Sequence, residues 1–253
     1  MKILLGGALG RMGWEVTAAA AEAQVEIVCG VDVAYTGQPS DYPIVTAFDQ
    51  ATQKADVLID FSRPSALPEL LQLVRKEKMP AVLCTTGYNE AELQMIEEAS
   101  REIPVFRSAN MSLGVNVLRH LVQEAARALG EDFDVEIVER HHRMKADSPS
   151  GTALMLYDSV KEATETLRQP VFGRYGRTAQ RQPGEVGIHA VRGGTITGEH
   201  EVCFYGDGEE LILTHRAEKR SLFARGALRA AAFLMDKSAG KYDMQDLIEE
   251  MLR

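Results

Sequence analysis

Cysteine is scarce in these 253 residues: Cys29, Cys84 and Cys203 are odd in number and show no Cys-x-x-Cys spacing. That argues against a disulfide framework and against structural zinc, and it fits a reducing compartment. No apolar run approaches the roughly 20 residues that a membrane span requires, so no membrane partner is expected. Positive charge is in deficit too, with 28 Lys and Arg against 37 Asp and Glu and a net charge of −9. Such a balance disfavours nucleic acid as a partner, because no basic face offsets phosphate repulsion. Repeats and low-complexity tails are absent. The opening Met1-Lys2-Ile3-Leu4-Leu5 runs into glycines and reads as a strand rather than a secretory leader, so a cytoplasmic location is expected. What is left is a chain 45% hydrophobic and 26% charged, suited to one large or two modest soluble domains.

The apolar run Lys2–Leu5 leads into Gly6-Gly7-Ala8-Leu9-Gly10-Arg11-Met12-Gly13, and Trp14 to Ala23 is made of helix formers, five of them alanine. A strand, a glycine turn and a helix in this order give a dinucleotide site its form. The glycines admit a pyrophosphate and the helix N-terminus stabilises it. The spacing Gly7-x-x-Gly10-x-x-Gly13 departs from the strict G-x-G-x-x-G, so a glycine-rich turn with no ligand is the competing reading. Asp32 closes the next apolar run, 25–31, and lies 19 residues beyond Gly13. An acid at that distance accepts hydrogen bonds from ribose hydroxyls. Val33, Ala34 and Tyr35 after it offer no cation for a 2′-phosphate, which favours NADH over NADPH. A cation from elsewhere in the chain, or a merely solvated Asp32, would leave that preference open.

The alternation continues with a strand at 55–61, a helix from Pro64 to Glu77 and a strand at 81–84. A helix capped by Asn89 then runs to about Ser100, before a strand at 103–106. Alternating units imply a parallel, doubly wound sheet whose ligands sit beyond the carboxyl ends of its strands. Phe61-Ser62-Arg63, Thr85-Thr86-Gly87 and Ala109-Asn110-Met111-Ser112 are therefore expected to face a cofactor. Further on, the pattern predicts a helix at 113–130, a strand at 134–140, a helix from about Ser150 to Leu167 and a long loop at 168–185. Strands follow at 186–192, 200–205 and 210–215, with Gly206-Asp207-Gly208 as a hairpin turn. A run of strands after alternating units indicates an α+β domain with an open mixed sheet, and such a sheet is expected to bury one face in an oligomer. An alanine-rich helix from Ser221 to Lys237 could return to cover the first domain.

Residues 136–153 carry two histidines, three cations and a Ser-Gly-Thr turn on an otherwise acidic chain. The combination points to a site for a small anion beside proton-transfer groups. His141 and Lys145 lie four apart, and are expected to share a face of a strand or a helix, with His142 pointing elsewhere if the segment is extended. Ser150-Gly151-Thr152 opens the next helix, where free N–H groups hold carboxylate or phosphate. A surface histidine pair next to an ordinary helix start is the bland alternative. A zinc site lacks a third ligand, and no metal is expected.

With these motifs in place, the chain resembles the 4-hydroxy-tetrahydrodipicolinate reductases, long called dihydrodipicolinate reductases. The resemblance rests on Gly7-x-x-Gly10-Arg11-Met12-Gly13, Asp60-Phe61-Ser62-Arg63-Pro64, Thr85-Thr86-Gly87, Asn110 to Asn116, the 136–153 signature and Gly198-Glu199-His200. It implies a Rossmann-type domain of residues 1–112 with 221–253. It also implies an α+β substrate-binding domain at 113–220 that assembles into a homotetramer. The implied reaction is NADH- or NADPH-dependent reduction of a small cyclic dicarboxylate on the diaminopimelate and lysine route. Residue by residue, the resemblance makes His141 and Lys145 the proton-transfer pair, and gives the substrate carboxylates to His142, Ser150, Gly151 and Thr152. It gives the cofactor to Gly7, Ala8, Leu9, Gly10, Arg11, Met12, Asp32, Phe61, Thr85, Thr86 and Ala109 to Ser112. Cys84 stands where the family commonly has glycine, and Val33 where some members carry a basic residue.

The chemistry fits those residue types. Hydride addition to a conjugated imine drives charge toward nitrogen and leaves a carbon to be protonated, so a nearby cation and a positioned acid both help. Lys145 can serve both purposes and His141 can donate or relay, and the sequence does not choose between them. Two rivals stand beside this reading. One is another two-domain dehydrogenase, with Cys84 as a nucleophile if it acts on aldehydes. The other is a dinucleotide-sensing regulator, for which no DNA-reading helix or basic patch is evident.

Overall fold

The computed structural model describes residues 1–164 and 168–252. Two compact units result, Met1–Leu113 with Arg220–Arg253, and Gly114–Lys219. The first begins with β1 (Lys2–Gly6), α1 (Arg11–Glu22), β2 (Glu26–Val31), β3 (Ile44–Val45) and β4 (Val57–Asp60). A 3-10 turn at Pro64–Ala66 leads into α2 (Leu67–Glu77), followed by β5 (Ala81–Leu83), α3 (Glu90–Ser100) and β6 (Pro104–Arg107). Proline at the start of that turn suits its fixed φ, but the α-helix proper begins three residues later than the sequence indicates. Asn89 caps α3 in a reciprocal capping box with Glu92.

The second unit contains α4 (Leu113–Leu129), β7 (Asp134–His141), α5 (Gly151–Ala163), β8 (Gln169–Phe172), β9 (Glu185–Arg192), β10 (Gly198–Gly206) and β11 (Glu209–Ala217). Its mixed sheet has the order β11-β10-β7-β9-β8, antiparallel from β11 to β7 and parallel from β7 to β8. Strict alternation in β7 sends Val135, Ile137, Glu139 and His141 to the buried face, where α4 and α5 supply Leu118, Val122, Leu156 and Val160. Two expectations need correction. The stretch 168–185 is not all loop, since Gln169–Phe172 pairs parallel with β9, and its Pro170 is tolerated because β8 is an edge strand. The helix expected to reach Leu167 ends at Ala163; residues 165–167 lie outside the described residues.

The chain then returns to the first unit with α6 (Ser221–Leu234), β12 (Gly240–Tyr242) and α7 (Met244–Leu252). The helix α6 stops three residues short of the expected Lys237. The completed sheet is seven-stranded and parallel, in the order β12-β6-β5-β4-β1-β2-β3. Its two faces divide the apolar residues by parity. Ile3, Leu5, Val57 and Ile59 pack with the alanines of α1 and α6, while Leu4, Leu58, Ala81 and Leu83 pack with α2 and α3. Burying each aliphatic side chain contributes about 2 kcal/mol, which fixes the register of every strand and hence the loops at their carboxyl ends. Among the described residues no helix is long and apolar enough to cross a membrane.

Candidate active site

The end of β7 carries a buried ionic knot. Glu139 is fully buried, and its Oε1 accepts from the Ser150 N–H at 2.9 Å and from Arg192 Nη2 at 2.7 Å. Its Oε2 accepts from Arg192 Nη1 at 2.7 Å and faces His141 Nδ1 at 2.7 Å. Burial pushes this carboxyl up, but the bonds from Arg192, His141 and Ser150 outweigh it and hold Glu139 below the usual carboxylate range. Arg192 sits at the end of β9 opposite His141 in the register. Its Nη2 also donates to the Asp147 carbonyl at 2.7 Å and ties down the turn that follows β7.

That turn carries Lys145, which corrects the expectation that His141 and Lys145 share a face of one element. His141 is the last residue of β7, whereas the Lys145 amide donates to the His142 carbonyl at 3.1 Å within a turn. The strand stops because its partner β9 stops: the Gly193 amide closes on the His141 carbonyl at 2.9 Å, and the chain must then reach the start of α5. The Lys145 ammonium lies 2.8 Å from Asp147 Oδ1, and His142 is half-buried beside it in sequence.

Ser150 is the N-cap of α5. Its Oγ accepts from the Ala153 amide at 3.1 Å and lies 2.9 Å from His200 Nε2. The Ser150 hydroxyl is thus buried and already bonded, while Gly151 is exposed and Thr152 half-buried at the helix start. His200, on β10, packs edge-on to the His141 ring with centroids 5.1 Å apart. Burial, with the neighbouring His141 second, drives it down from an ordinary 6.5 to about 3, so His200 is neutral. Glu139 and Arg192 were not singled out from the sequence, and His200 was noted only as part of a motif. The i, i+2 parity of Glu139 with His141 on one strand was the available signal for the first. Arg192, 53 residues away, is brought in by strand pairing alone.

In the first unit, β1 ends in a turn where Gly7 has φ +74° and its amide donates to the Val31 carbonyl at 2.8 Å. A Cβ on Gly7 would lie 2.6 Å from the Phe61 carbonyl oxygen, so only glycine fits. Asp32 Oδ2 accepts from the Leu9 amide at 2.9 Å and Oδ1 from the Ala34 amide at 2.9 Å. Gly7, Gly10, Asp32 and Phe61 line one cavity of about 240 Å³, together with Arg63. Arg63 is the cation that the residues following Asp32 do not supply. A turn of this shape with an acid at its rim fits the adenosine end of a dinucleotide. Ala8 is buried, Leu9 and Met12 are half-buried, and Arg11 is exposed at the first turn of α1.

The remaining candidates differ in accessibility. Thr85 is buried and donates to Asp60 Oδ2 at 2.7 Å, whereas Thr86 is exposed. Ala109 is exposed and Asn110 half-buried, its Oδ1 accepting from the Ser112 amide at 2.9 Å. Met111 is buried in the core and Ser112 is buried as well, so the accessible part of this segment is 109–110. Cys84 is buried, and burial together with the nearby Asp60 pushes its thiol well above the usual range. An aldehyde-type nucleophile therefore finds no support there.

Two family models match the chain. The model described as dihydrodipicolinate reductase, N-terminus, covers residues 1–111, and that described as dihydrodipicolinate reductase, C-terminus, covers residues 114–248. The 4-hydroxy-tetrahydrodipicolinate reductase of Caldanaerobacter subterraneus subsp. tengcongensis is 49% identical over 251 residues, 99% of each chain. The enzyme of the same name from Clostridium tetani is 44% identical, covering 98% of this chain and 97% of its own. Among solved structures, a dipicolinate-bound dihydrodipicolinate reductase from Paenisporosarcina sp. TG-14 superposes with a TM-score of 0.78 at 22% identity, covering 96% of this chain and 97% of its own.

Proposed function

The chain belongs to the dihydrodipicolinate reductase family, and on that premise we propose that it is an NAD(P)H-dependent 4-hydroxy-tetrahydrodipicolinate reductase. It reduces its substrate, by way of dihydrodipicolinate, to tetrahydrodipicolinate on the diaminopimelate and lysine route. The observation that carries the site assignment is the Glu139–Arg192 knot, which holds His141, the Lys145 turn and the start of α5 in one cluster. A planar dicarboxylate of the dipicolinate type, as named for the Paenisporosarcina relative, is assigned to Gly151, Thr152 and His142. The N-terminus of α5 attracts one carboxylate there, and Ser150 shapes that terminus from within.

A dinucleotide held at Gly7, Gly10 and Asp32 would supply the hydride. Lys145 places a positive charge where negative charge develops on the substrate, and His141 or Lys145 returns a proton to the carbon left basic. His200, being neutral, adds no competing charge beside them. In the first unit, Asp32 accepts from the ribose hydroxyls, and its charge favours NADH. Arg63, lining the same cavity, gives a 2′-phosphate a partner, so NADPH is used less well rather than refused. A homotetramer is the proposed assembly. The outer face of the second unit's sheet leaves Val191, Tyr205 and Ile212 each more than one-third exposed, interspersed with ion pairs such as Arg140–Glu199.

The test is oxidation of NADH on addition of the freshly formed condensation product of pyruvate and aspartate semialdehyde, repeated with NADPH. Turnover with both, NADH giving the higher kcat/KM, is expected. Absence of turnover with either ends the proposal, and a marked NADPH preference ends the assignment of Asp32 as the discriminating group. Sedimentation at working concentration checks the tetramer.

A further inference from the structure

We propose that Glu139 is a positioning residue for the proton transfer: it holds His141 with hydrogen on Nδ1, so that proton exchange runs through Nε2 alone. The same carboxylate fixes the amide of Ser150 and so sets the anion-binding end of α5 against that imidazole. This deepens the reading above and rests on His141 exchanging a proton with the substrate.

The argument is a count of donors and acceptors. An ionised carboxylate only accepts, with about four lone-pair positions. Glu139 meets four partners: the Ser150 amide, two guanidinium N–H groups of Arg192, and His141 Nδ1. Three of these can only donate. A proton on Oε1 would confront the Ser150 amide and Arg192 Nη2. One on Oε2 could point only at His141 Nδ1, and it would remove the charge that the two-point Arg192 pair and the Ser150 amide stabilise, which hold this carboxyl below its usual range. Glu139 is therefore ionised, in the two-point pairing that arginine makes best. The nitrogen of His141 facing it at 2.7 Å must then carry hydrogen, whether the ring is neutral or cationic. A neutral ring has a bare Nε2 that accepts, and a cationic ring has an Nε2–H that donates.

The surroundings keep the ring in that pose. His200 packs against it edge-on, and Gly198 lies under the free nitrogen, where a Cβ would come within 3.1 Å of Nε2. Each carboxylate oxygen serves a different half of the site. Oε2 orients the proton-exchanging ring and Oε1 holds the amide that begins α5, while Arg192 secures both and the Asp147 carbonyl on the Lys145 turn. A substitution at Glu139 thus reaches His141 and the helix start together without touching the substrate.

Glu139→Gln keeps the shape and inverts one half of the bonding. With its oxygen on the Ser150 side, its NH2 must face His141, which then accepts at Nδ1 and carries hydrogen on Nε2. Neutron diffraction from deuterated crystals in mildly alkaline buffer reads this directly. Wild type is expected to show deuterium on Nδ1 and none on Nε2 of His141, and the variant the reverse. Its kcat is expected to fall about 100-fold or more, with NADH affinity by fluorescence titration within about three-fold of wild type. A wild-type deuteron on Nε2 beside a bare Nδ1 would overturn the inference, as would a folded variant with wild-type kcat. If the variant does not fold, the wild-type neutron map decides alone. His141→Gln separates the two levels of the argument. Full activity in that variant removes His141 from proton transfer and leaves the tautomer assignment standing, whereas a reversed wild-type tautomer ends the positioning role and leaves the reaction untouched.

Discussion

Asp60 and Glu139 are both buried carboxylates at the ends of central strands, 1% and 0% exposed, yet the two units treat them in opposite ways. Glu139 meets Arg192 in a two-point pair and is held below the usual range. Among the described residues, Asp60 is bonded by the Thr85 hydroxyl and the Ser62 amide rather than by a cation, and burial pushes it up. The difference follows the work each strand end is assigned. A fixed negative charge is useful beside an imidazole that must be oriented. Beside the turn proposed to receive a pyrophosphate, Asp60 instead braces a tight spot, where a Cβ on Gly6 would collide with its Oδ1. The chemical type of a buried group therefore says less than the number and charge of the donors around it.

The sharpest way to break this division is Lys145→Ala. Removing the cation assigned to the developing charge should lower kcat about 1,000-fold, while the first unit keeps NADH affinity within a few-fold. Steady-state rates beside a fluorescence titration measure both, and near-normal turnover refutes the assignment. Next in size is the pair of amide variants, compared by urea unfolding. Glu139→Gln leaves Arg192 partly unpaired and should lower stability by about 2–3 kcal/mol, reduced from the fully buried case because Arg192 is about one-fifth exposed. Asp60→Asn should lower it by no more than about 1 kcal/mol. Equal losses would erase the contrast.

The pH dependence of stability separates the two carboxylates further. Glu139, lowered in the folded state, contributes stability above the ordinary carboxyl value of 4.5 and loses it as pH falls through its depressed value. Asp60, raised from 3.8, does the reverse, and its contribution is lost as pH rises through the raised value. His200 adds a distinct signature in the second unit. Between 6.5 and about 3 the unfolded chain binds a proton that the folded protein refuses, so stability falls on acidification. The slope is up to about 1.4 kcal/mol per pH unit. Thermal unfolding from pH 6.5 downward should be visibly shallower in His200→Gln, and an unchanged slope would mean that His200 protonates in the fold. The smallest effect is expected at Asp32→Asn, which should weaken NADH about five-fold through the loss of charge-assisted bonds while leaving kcat at saturation unchanged. A large fall in kcat instead would place Asp32 in the chemistry rather than in binding.

Much of this was legible in the residues. Alternating apolar runs fixed the parallel sheet, Asn89 marked the start of α3 as its cap, and Gly206-Asp207-Gly208 marked the turn between β10 and β11, whose register runs to Gly206 opposite Glu209. The 136–153 segment was visible as charged groups against an acidic background. Elements carried by context were not. β8 was hidden by Pro170 and by the short length of its apolar pair Val171-Phe172 between polar and glycine residues, because an edge strand needs no long apolar run when its partner supplies the pairing. Short β3 and β12 likewise exist only because β2 and β6 offer an open edge. The spacing of His141 and Lys145 misled for a related reason, since a periodicity argument assumes that the element continues, and β7 ends at His141 with its partner.

By itself the sequence determined the periodicities that make two layered sheets, the glycines that allow the turn after β1, and the residue types able to hold an anion and move a proton. Those follow from local sterics and from the solvent preference of each side chain. Only the tertiary structure decided that Glu139 would be ionised, that His200 would be neutral, and that Arg192 would close the knot with His141 and Ser150. Protonation and tautomer depend on desolvation and on donors arriving from strands far away in sequence, and no local pattern of residues encodes that meeting.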